Sequence, residues 1–318
     1  MDDRIASALS AAFPDREVAS TEPAGPSWNP TNESVRVDFA DGRTAYLKVA
    51  VDGDGTRIAR ERGTIEYIGA NCDVRVPAVL SSDADGEVPY LATAPLAGES
   101  IVGPWSEWGV AERAETARRV GEALADVHAE RFGAHGHIAG GGADGLDLDT
   151  APWTDVLVDT IEDVRALSPS DRFDRHFDEV IAAVEANRDL LDDAPAALLH
   201  GDPAMPNCFR GADGIGFLDW EIAHVGDPVR DLHRVRAQQI DGLRSAGDER
   251  LVTALHEGYR ERAGGLPPGF EERRPVYRAV RFLGTSGFVE KTAEFADESL
   301  EEFAAWVDAE MERRLAEI

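Results

Sequence analysis

The stretch at residues 198–221 constrains the fold of this chain more than any other part of the sequence. It begins with an apolar segment that predicts a short buried strand, and it continues into a loop that carries His200, Asp202 and Asn207. A second short strand, a Gly-Ala-Asp-Gly turn and a third strand then lead to Asp219. A hairpin brings the far ends of its two strands together. The sequence therefore predicts that Asn207 and Asp219 lie near each other in one cleft.

These side chains are of the types that phosphoryl transfer requires. An Asp must receive or orient the proton of the attacking hydroxyl, and an Asn amide oxygen and an Asp carboxylate are suitable ligands for Mg²⁺. The spacing from Asp202 to Asn207 matches the His-Arg-Asp-x-x-x-x-Asn loop of protein kinases, with Gly201 in place of the arginine. Asp219 then takes the place of the Asp in the Asp-Phe-Gly motif.

With these residues the chain resembles the aminoglycoside phosphotransferase and choline kinase superfamily. The hallmarks of that superfamily are a His-Gly-Asp loop, an Asn five residues beyond its Asp, and a hydrophobic-Asp-Trp-Glu segment, here residues 218–221. Residues 226–232, Gly-Asp-Pro-Val-Arg-Asp-Leu, are similar to the segment that supports this loop in the superfamily. The resemblance implies a two-lobed, protein-kinase-like α+β fold, with a small β-rich lobe containing one main helix and a larger, mostly helical lobe.

The resemblance also implies an ATP-dependent phosphotransferase that acts on an alcohol group. Its cofactors would be ATP and Mg²⁺, and the γ-phosphoryl group would move to a hydroxyl of a small acceptor. It implies that Asp202 is the catalytic base, with His200 beside it in the catalytic loop. Asn207 and Asp219 would be the Mg²⁺ ligands. His200, Asp227 and Asp231 would be structural supports.

The N-terminal part of the sequence supports this interpretation independently. Residues 33–50 predict two strands around a turn, and residues 56–70 predict a helix. A kinase needs a strand lysine that binds the α- and β-phosphates and a helix glutamate that holds this lysine. The chain has two lysines and thirty arginines, and one of the lysines, Lys48, lies on the second strand. We predict that Lys48 binds phosphate and that Glu61 is its partner, with Glu66 as second choice.

Two further segments are expected to contact the nucleotide. Residues 24–32 precede the first strong strand and lack a Gly-x-Gly-x-x-Gly motif, but Gly25 and Ser27 offer backbone or side-chain donors. A plain surface loop is the alternative for this segment. By analogy with the superfamily, we expect backbone groups from Ala92 to Ala94 to bind the adenine.

The character of the sequence changes near residues 94–98. We predict a nucleotide-binding lobe at residues 1–95 and a helical lobe at residues 96–318 that carries the catalytic loop, the metal ligands and the acceptor pocket. Periodic apolar residues predict helices at 108–130, 151–167 and 174–192, and most of the chain after residue 229. His135 and His137 lie in a glycine-rich segment that we expect to be a loop.

The charge balance limits the classes of partner. Lys and Arg number 32 against 61 Asp and Glu, a net charge of −29. Such a chain repels nucleic acids and anionic membranes unless a local basic patch intervenes, and the sequence indicates no such patch. Two cysteines that lie far apart in the sequence, Cys72 and Cys208, argue against a disulfide framework and favour a reducing cytoplasm. No apolar run approaches the roughly 20 residues that span a bilayer.

Three functions remain open at this point. The first is the phosphotransferase, with an aminoglycoside, an amino alcohol or a sugar as acceptor and with either ATP or GTP as donor. The second is a kinase-like module that binds a nucleotide or metabolite without transfer. The third is a metal-dependent hydrolase built on His200, Asp202 and Asp219, which ranks last because no second cluster of histidines or carboxylates has ligand spacing.

The acidic, lysine-poor composition also predicts a dependence on salt. It resembles that of proteins from salt-accumulating halophiles, in which salt screens the self-repulsion of the folded chain. We expect the thermal unfolding midpoint to rise from dilute buffer to molar KCl, as circular dichroism melts would show. A midpoint that does not rise with KCl would contradict a halophilic origin.

Overall fold

The computed structural model describes residues 2–25, 31–203 and 205–318. It is a mixed α+β structure, as predicted, with an antiparallel sheet at the N-terminal end and mostly helices after it. The elements before residue 94 are α1 (Asp3–Ala12), β1 (Val18–Pro23), β2 (Asn32–Phe39), β3 (Thr44–Ala50), α2 (Thr56–Asn71), β4 (Val79–Asp83) and β5 (Tyr90–Thr93).

The first sheet is antiparallel throughout, with strand order β1-β2-β3-β5-β4. Apolar residues alternate along β2, so that Val35 and Val37 are buried on one face. Helix α1 covers this face with Ile5 and Leu9, which gives the sheet a small core of its own. The hairpin predicted at residues 33–50 corresponds to β2 and β3, whereas α1 and β1 were not predicted.

Helices dominate the remainder of the chain, and none of the described helices is long and apolar enough to span a membrane. The elements after residue 94 are β6 (Glu99–Ser100), α3 (Val102–Glu107), α4 (Val110–His128), β7 (Gly136–Gly142), β8 (Gly145–Thr150), α5 (Trp153–Leu167), α6 (Asp174–Ala186), α7 (Arg188–Asp192), β9 (Ala197–Leu199), β10 (Cys208–Gly211), β11 (Gly214–Phe217), β12 (His224–Gly226), α8 (Pro228–Val235), α9 (Glu249–Ala263), α10 (Phe270–Gly287), α11 (Val289–Ala293) and α12 (Leu300–Leu315). A 3₁₀ turn forms at Met205–Asn207 and a π-helical segment at Arg236–Ile240.

The glycine-rich segment is a hairpin, so the expectation of a loop was wrong. Strands β7 and β8 join β12 and β9 in a four-stranded sheet of order β8-β7-β12-β9. The hairpin also carries a contact to the N-terminal part, because α2 lies against β7 and Arg60 Nε donates to Ile138 O at 2.8 Å. His137 Nε2 lies 3.0 Å from Asp159 Oδ2, and His135 Nε2 lies 2.9 Å from Ala194 O, so each histidine has a structural partner.

Helices α4 and α9 pack unusually closely, and two glycines make this possible. A Cβ atom built on Gly121 would lie 2.1 Å from Leu255 O, and one built on Gly258 would lie 1.9 Å from Arg118 O. These distances are too short for any side chain. The backbones of the two helices therefore touch at Gly121 and Gly258.

We expect Gly258→Ala to destabilise the protein, although alanine normally favours a helix. The added methyl group has to force α4 and α9 apart, at a cost of about 1–3 kcal/mol or more. Denaturant unfolding measures this free energy.

Gly103→Ala in α3 is the matched control, because a Cβ there meets no heavy atom within 4 Å. It should leave stability unchanged or raise it by up to about 1 kcal/mol. Equal stability changes for the two variants would show that the α4–α9 contact is looser than described.

Candidate active site

The His-Gly-Asp loop begins where the buried strand β9 ends, and its backbone is held by a buried carboxylate. The N–H of His200 donates to Asp231 Oδ2 at 2.7 Å, and the N–H of Gly201 donates to Asp231 Oδ1 at 3.1 Å. Burial raises the pKa of Asp231, but the hydrogen bond with His128 and the charge of Arg230 lower it, and the pKa is lowered overall. Asp231 is therefore ionised and anchors the start of the loop.

The His200 side chain ties this loop to the strand that precedes Asp219. Its Nε2 lies 2.9 Å from Leu218 O, and its Nδ1 accepts from the N–H of Asp202 at 3.2 Å. This arrangement needs a neutral ring with its proton on Nε2. Burial lowers the pKa of His200 and so favours the neutral form. Within the predicted catalytic pair, His200 thus positions the loop, and Asp202 is the member that faces the cavity.

Gly201 is the residue that this loop geometry requires. Its φ of +85° is in the left-handed region, and a Cβ atom would lie 2.4 Å from Ile222 O. Both features exclude a side chain. This explains why glycine stands where the protein-kinase loop has arginine.

Asp227 supports the loop from a second direction. Its Oδ1 accepts from the N–H of Val229 at 3.1 Å and so caps the N-terminus of α8. Its Oδ2 accepts from Arg273 Nε at 2.6 Å and from the Tyr277 hydroxyl at 2.7 Å. Asp227 is fully buried and the Arg273 side chain is 4% exposed, so this ion pair lies inside the protein.

Asn207 and Asp219 are brought together by the β10–β11 hairpin, and both line one cavity of about 730 Å³. The N–H of Leu218 donates to Asn207 O at 2.9 Å, and Asn207 Nδ2 donates to Asp202 O at 3.0 Å. The amide nitrogen of Asn207 is thus engaged, which leaves its side-chain oxygen for a ligand. Amide and carboxylate oxygens are ligands that Mg²⁺ prefers, so Asn207 and Asp219 fit this cation.

Asp219 has a left-handed backbone. Its φ of 65° is the only positive value at a non-glycine residue in the described part of the chain. Asp tolerates this region better than most residues, but the conformation still costs of order 1–3 kcal/mol and is typical of functional sites.

The Lys48 ammonium group lies among three carboxylates. Its Nζ is 2.6 Å from Glu61 Oε2, 2.6 Å from Asp219 Oδ1 and 3.0 Å from Glu221 Oε2. Burial lowers the pKa of Lys48, but these carboxylates raise it well above its ordinary value overall, so the group is charged. The structure thus brings Lys48 to Glu61, whereas Glu66 pairs with Arg62.

The same three carboxylates have oxygens within 4.8 Å of one another, close enough for a metal ion. In this structure the Lys48 ammonium lies between them, so they form a binding site for the lysine. Glu221 is held further by Asn32 Nδ2 at 2.7 Å and by Arg57 Nη1 at 3.1 Å. Arg57 was missed from the sequence, although it lies one helical turn before Glu61.

Asp202 has an arginine partner that sequence reasoning also missed. Arg234 Nε on α8 donates to Asp202 Oδ1 at 2.7 Å. Arg234 follows Asp231 by three residues, and this helical spacing on one face was the available signal. The described lining of the cavity holds six basic side chains against four carboxylates. A local excess of positive charge therefore exists here, in a chain of net charge −29.

The residues predicted to contact the nucleotide are only partly brought together. Gly25 lines the cavity with Lys48, and Ser27 lies outside the described residues. Ala92 pairs with β3 and β4 inside the sheet, and the N–H of Ala94 already donates to Ala78 O at 2.8 Å. Neither alanine is part of the described cavity lining. The adenine contact thus stays a prediction.

Kinase-like phosphotransferases pair a strand lysine with a helix glutamate, and they place this pair next to a catalytic loop and a following Asp. The described residues have this arrangement. The family model described as the phosphotransferase enzyme family, APH, matches residues 27–276. The chain belongs to this family and is a phosphotransferase. This confirms the resemblance and the enzyme class that the sequence predicted.

Solved structures of similar fold cover nearly all of the chain. A proposed fructosamine-3-kinase from Thermobifida fusca is 21% identical with a TM-score of 0.61, covering 98% of this chain and 99% of that one. The aminoglycoside phosphotransferase APH(4)-Ia is 17% identical with a TM-score of 0.60, covering 99% and 98%. A proposed aminoglycoside phosphotransferase from Ralstonia eutropha is 14% identical with a TM-score of 0.63, covering 98% and 97%. These likenesses establish the protein-kinase-like fold.

A sequence search of curated proteins gave no significant match.

We expect Arg273→Met to be strongly destabilising, because it leaves Asp227 buried without its ionic partner. Loss of one member of a buried ion pair costs about 3–5 kcal/mol. Guanidinium unfolding measures the loss.

Arg250→Met is the control, since the Arg250 side chain is 70% exposed in its ion pair with Asp248. Exposed pairs contribute about 0–1 kcal/mol. An Arg273→Met effect as small as that of Arg250→Met would mean that the buried pair does not support the loop.

Proposed function

We propose that the protein transfers the γ-phosphoryl group of Mg-ATP to a hydroxyl of a small molecule. The observation that carries the proposal is that Lys48, Asp202, Asn207 and Asp219 line one cavity, although Lys48 is more than 150 residues from the others in the sequence. Two structures of related fold support the proposal that the cavity binds a nucleotide. One APH(4)-Ia variant was solved with ADP and hygromycin B, and another with AMP-PNP and hygromycin B.

The nucleotide end of the cavity is proposed to lie in the lobe at residues 1–95. Lys48 is fixed by Glu61 and presents one ammonium group to the α- and β-phosphates. The excess of basic side chains in the cavity lining favours a polyanion at this place. Gly25 contributes a backbone without a side chain next to the phosphates.

The metal end is formed by Asn207 and Asp219, which would hold Mg²⁺ through an amide oxygen and a carboxylate oxygen. When bound, Mg²⁺ supplies positive charge that offsets the charge developing on the phosphate oxygens. Asp219 shares its Oδ1 with Lys48 in this structure. Its left-handed backbone holds the carboxylate between the lysine and the rest of the cavity.

The acceptor end is proposed to lie at Asp202 in the lobe at residues 96–318. Asp202 accepts the proton of the acceptor hydroxyl, and the oxygen of that hydroxyl forms the new bond to the γ-phosphorus. The bond between this phosphorus and the β–γ bridging oxygen breaks, and ADP leaves with the electron pair. Arg234 holds Oδ1 of Asp202, so Oδ2 remains to meet the hydroxyl.

We expect Asp202→Asn to bind Mg-ATP about as tightly as the wild type and to lose transfer. The amide cannot accept the proton, and general-base catalysis contributes about 10²–10⁴-fold to the rate. Calorimetric titration with Mg-ATP measures binding. Coupled ADP release in molar KCl, with aminoglycosides, amino alcohols and sugars as acceptors, measures transfer.

Asp213→Asn is the matched control, because the Asp213 side chain is 80% exposed at the turn between β10 and β11. It should keep full turnover. Unchanged turnover in Asp202→Asn would remove Asp202 from the mechanism. Nucleotide binding without acceptor-dependent ADP release in the wild type would favour a binding module instead, and hydrolysis without nucleotide would favour a metal-dependent hydrolase.

A further inference from the structure

A second cavity of about 550 Å³ lies beside the candidate active site, and its charge is opposite to that of the chain. We call it the arginine pocket. Its described lining contains two carboxylates, Asp241 and Glu310, and seven arginines, namely Arg236, Arg244, Arg274, Arg278, Arg281, Arg313 and Arg314. The absence of a local basic patch, expected from the sequence, is therefore wrong for this region.

The arginines of the pocket come from one face of α10 and from elements that pack around it. Arg274, Arg278 and Arg281 follow one another at steps of four and three residues, which places them on the same side of α10. Helix α12 adds Arg313 and Arg314. Like charges at this density repel one another, and this repulsion has to be offset by carboxylates or by a bound anion.

Acidic side chains pair with six of the seven arginines. Glu310 pairs with Arg313 at 2.7 Å and with Arg314 at 2.8 Å, and Glu317 pairs with Arg278 and Arg313. Glu271 pairs with Arg274 at 2.8 Å, Asp241 with Arg236 at 3.2 Å, and Glu298 with Arg244. Arg281 is the arginine of the pocket without an ion pair among the described residues.

Two buried groups on the α8 side lack partners among the described residues. The His233 side chain is 6% exposed, and neither of its ring nitrogens has a hydrogen-bond partner. The Nε–H of Arg281 is likewise buried without an acceptor. Buried polar groups are normally hydrogen-bonded, so these two groups are available to a ligand that enters the pocket. An anion in the pocket would supply acceptors for both groups.

The electrostatics around these groups agree with this. Burial and the charge of Arg234 lower the pKa of Arg281 to about 10. Burial and the surrounding arginines lower the pKa of His233 well below its ordinary value, so its ring is neutral and donates one N–H. The charge of Asp202 raises the pKa of Arg281 but does not outweigh these effects. Both groups are therefore hydrogen-bond donors in surroundings where positive charge predominates.

The arginine pocket adjoins the active-site cavity. Leu243, Arg281 and Thr285 line both cavities. Helix α8 separates them elsewhere, with His233 on the pocket side and Arg234 bound to Asp202 on the other. A small molecule that extends past Arg281 would therefore reach from the pocket to the catalytic carboxylate.

We propose that the acceptor carries an anionic group, a carboxylate or a phosphate, that binds in the arginine pocket while its hydroxyl lies at Asp202. Arginine forks match both groups through paired hydrogen bonds. The acceptor assignment rests on the proposed phosphotransfer. The anion site itself does not depend on it, and the two are tested separately.

The binding test uses the full chain, with inorganic phosphate and citrate as probes and glycerol as a neutral control, at one KCl concentration. Calorimetry should show phosphate or citrate binding that weakens at least tenfold in Arg278→Gln and in Arg281→Gln. Arg281→Lys should retain part of it. Arg43→Gln, at a side chain that is 77% exposed, is the matched control and should bind like the wild type.

Lys48→Gln separates this pocket from the phosphate end of the active site. Anion binding that is lost in Lys48→Gln and kept in Arg278→Gln would place the anion at the nucleotide site and overturn the proposal. So would the absence of any phosphate or citrate binding by the folded wild type. Thermal melts show that each variant is folded. The phosphate and citrate arms show which of the two groups the pocket prefers.

The acceptor test compares hydroxyl compounds in pairs, glycerate with glycerol and glucose 6-phosphate with glucose. The anionic member should have a kcat/KM at least tenfold higher, and Arg278→Gln should lose this preference. Turnover of neutral or amine-bearing acceptors with no gain from the anionic group would overturn the acceptor role and leave the phosphotransferase standing. If no acceptor is phosphorylated but phosphate binding still depends on Arg278, the proposed phosphotransfer is rejected and the anion site is supported.

Discussion

The ion-pair cluster around Lys48 holds the active site together. One ammonium group binds carboxylates from helix α2 and from the segment that follows β11, so three distant parts of the chain meet at one nitrogen atom. Burial makes the charges of Lys48, Glu61 and Glu221 costly alone, and their mutual pairing offsets this cost. This cluster, together with the bonds of Asn32 and Arg57 to Glu221, joins the first sheet and α2 to the segment beside the His-Gly-Asp loop.

The loop itself depends on a second layer of buried charge. Asp231 holds the backbone of the His-Gly-Asp segment, and Asp227 caps the start of α8 and is itself held by Arg273. Arg234, on the same helix, holds Asp202. Helix α8 thus joins the support of the loop to the carboxylate that faces the cavity.

The sequence predicted the features that are local or that a family shares. The hairpin after β9, the strand with Lys48 and the helix with Glu61 all follow from short-range patterns. The α1 helix was missed although Ile5, Ala8 and Leu9 have helical spacing, because the hydrophobic signal is short. The β7–β8 hairpin was missed because its glycines read as a loop, whereas pairing with β12 forms it.

Charge placement was the least predictable property. Summed over the chain, the composition is strongly acidic, and no run of more than two adjacent basic residues indicates otherwise. The arginine pocket is assembled from the π-helical segment, a loop and two helices that are separated by up to 78 positions from residue 236 to residue 314. A net charge does not reveal such an assembly, because it depends on which helix faces turn toward each other.

The attachment of α2 to the β7–β8 hairpin has a consequence for regulation. In protein kinases the glutamate-bearing helix can swing, and its position switches the enzyme on and off. Here the corresponding helix, α2, is bound to the β7–β8 hairpin because Arg60 donates to Ile138 O and Arg62 donates to Gly141 O. Glu61 on the same helix binds Lys48. Both anchors would have to break before this helix could carry Glu61 away from Lys48.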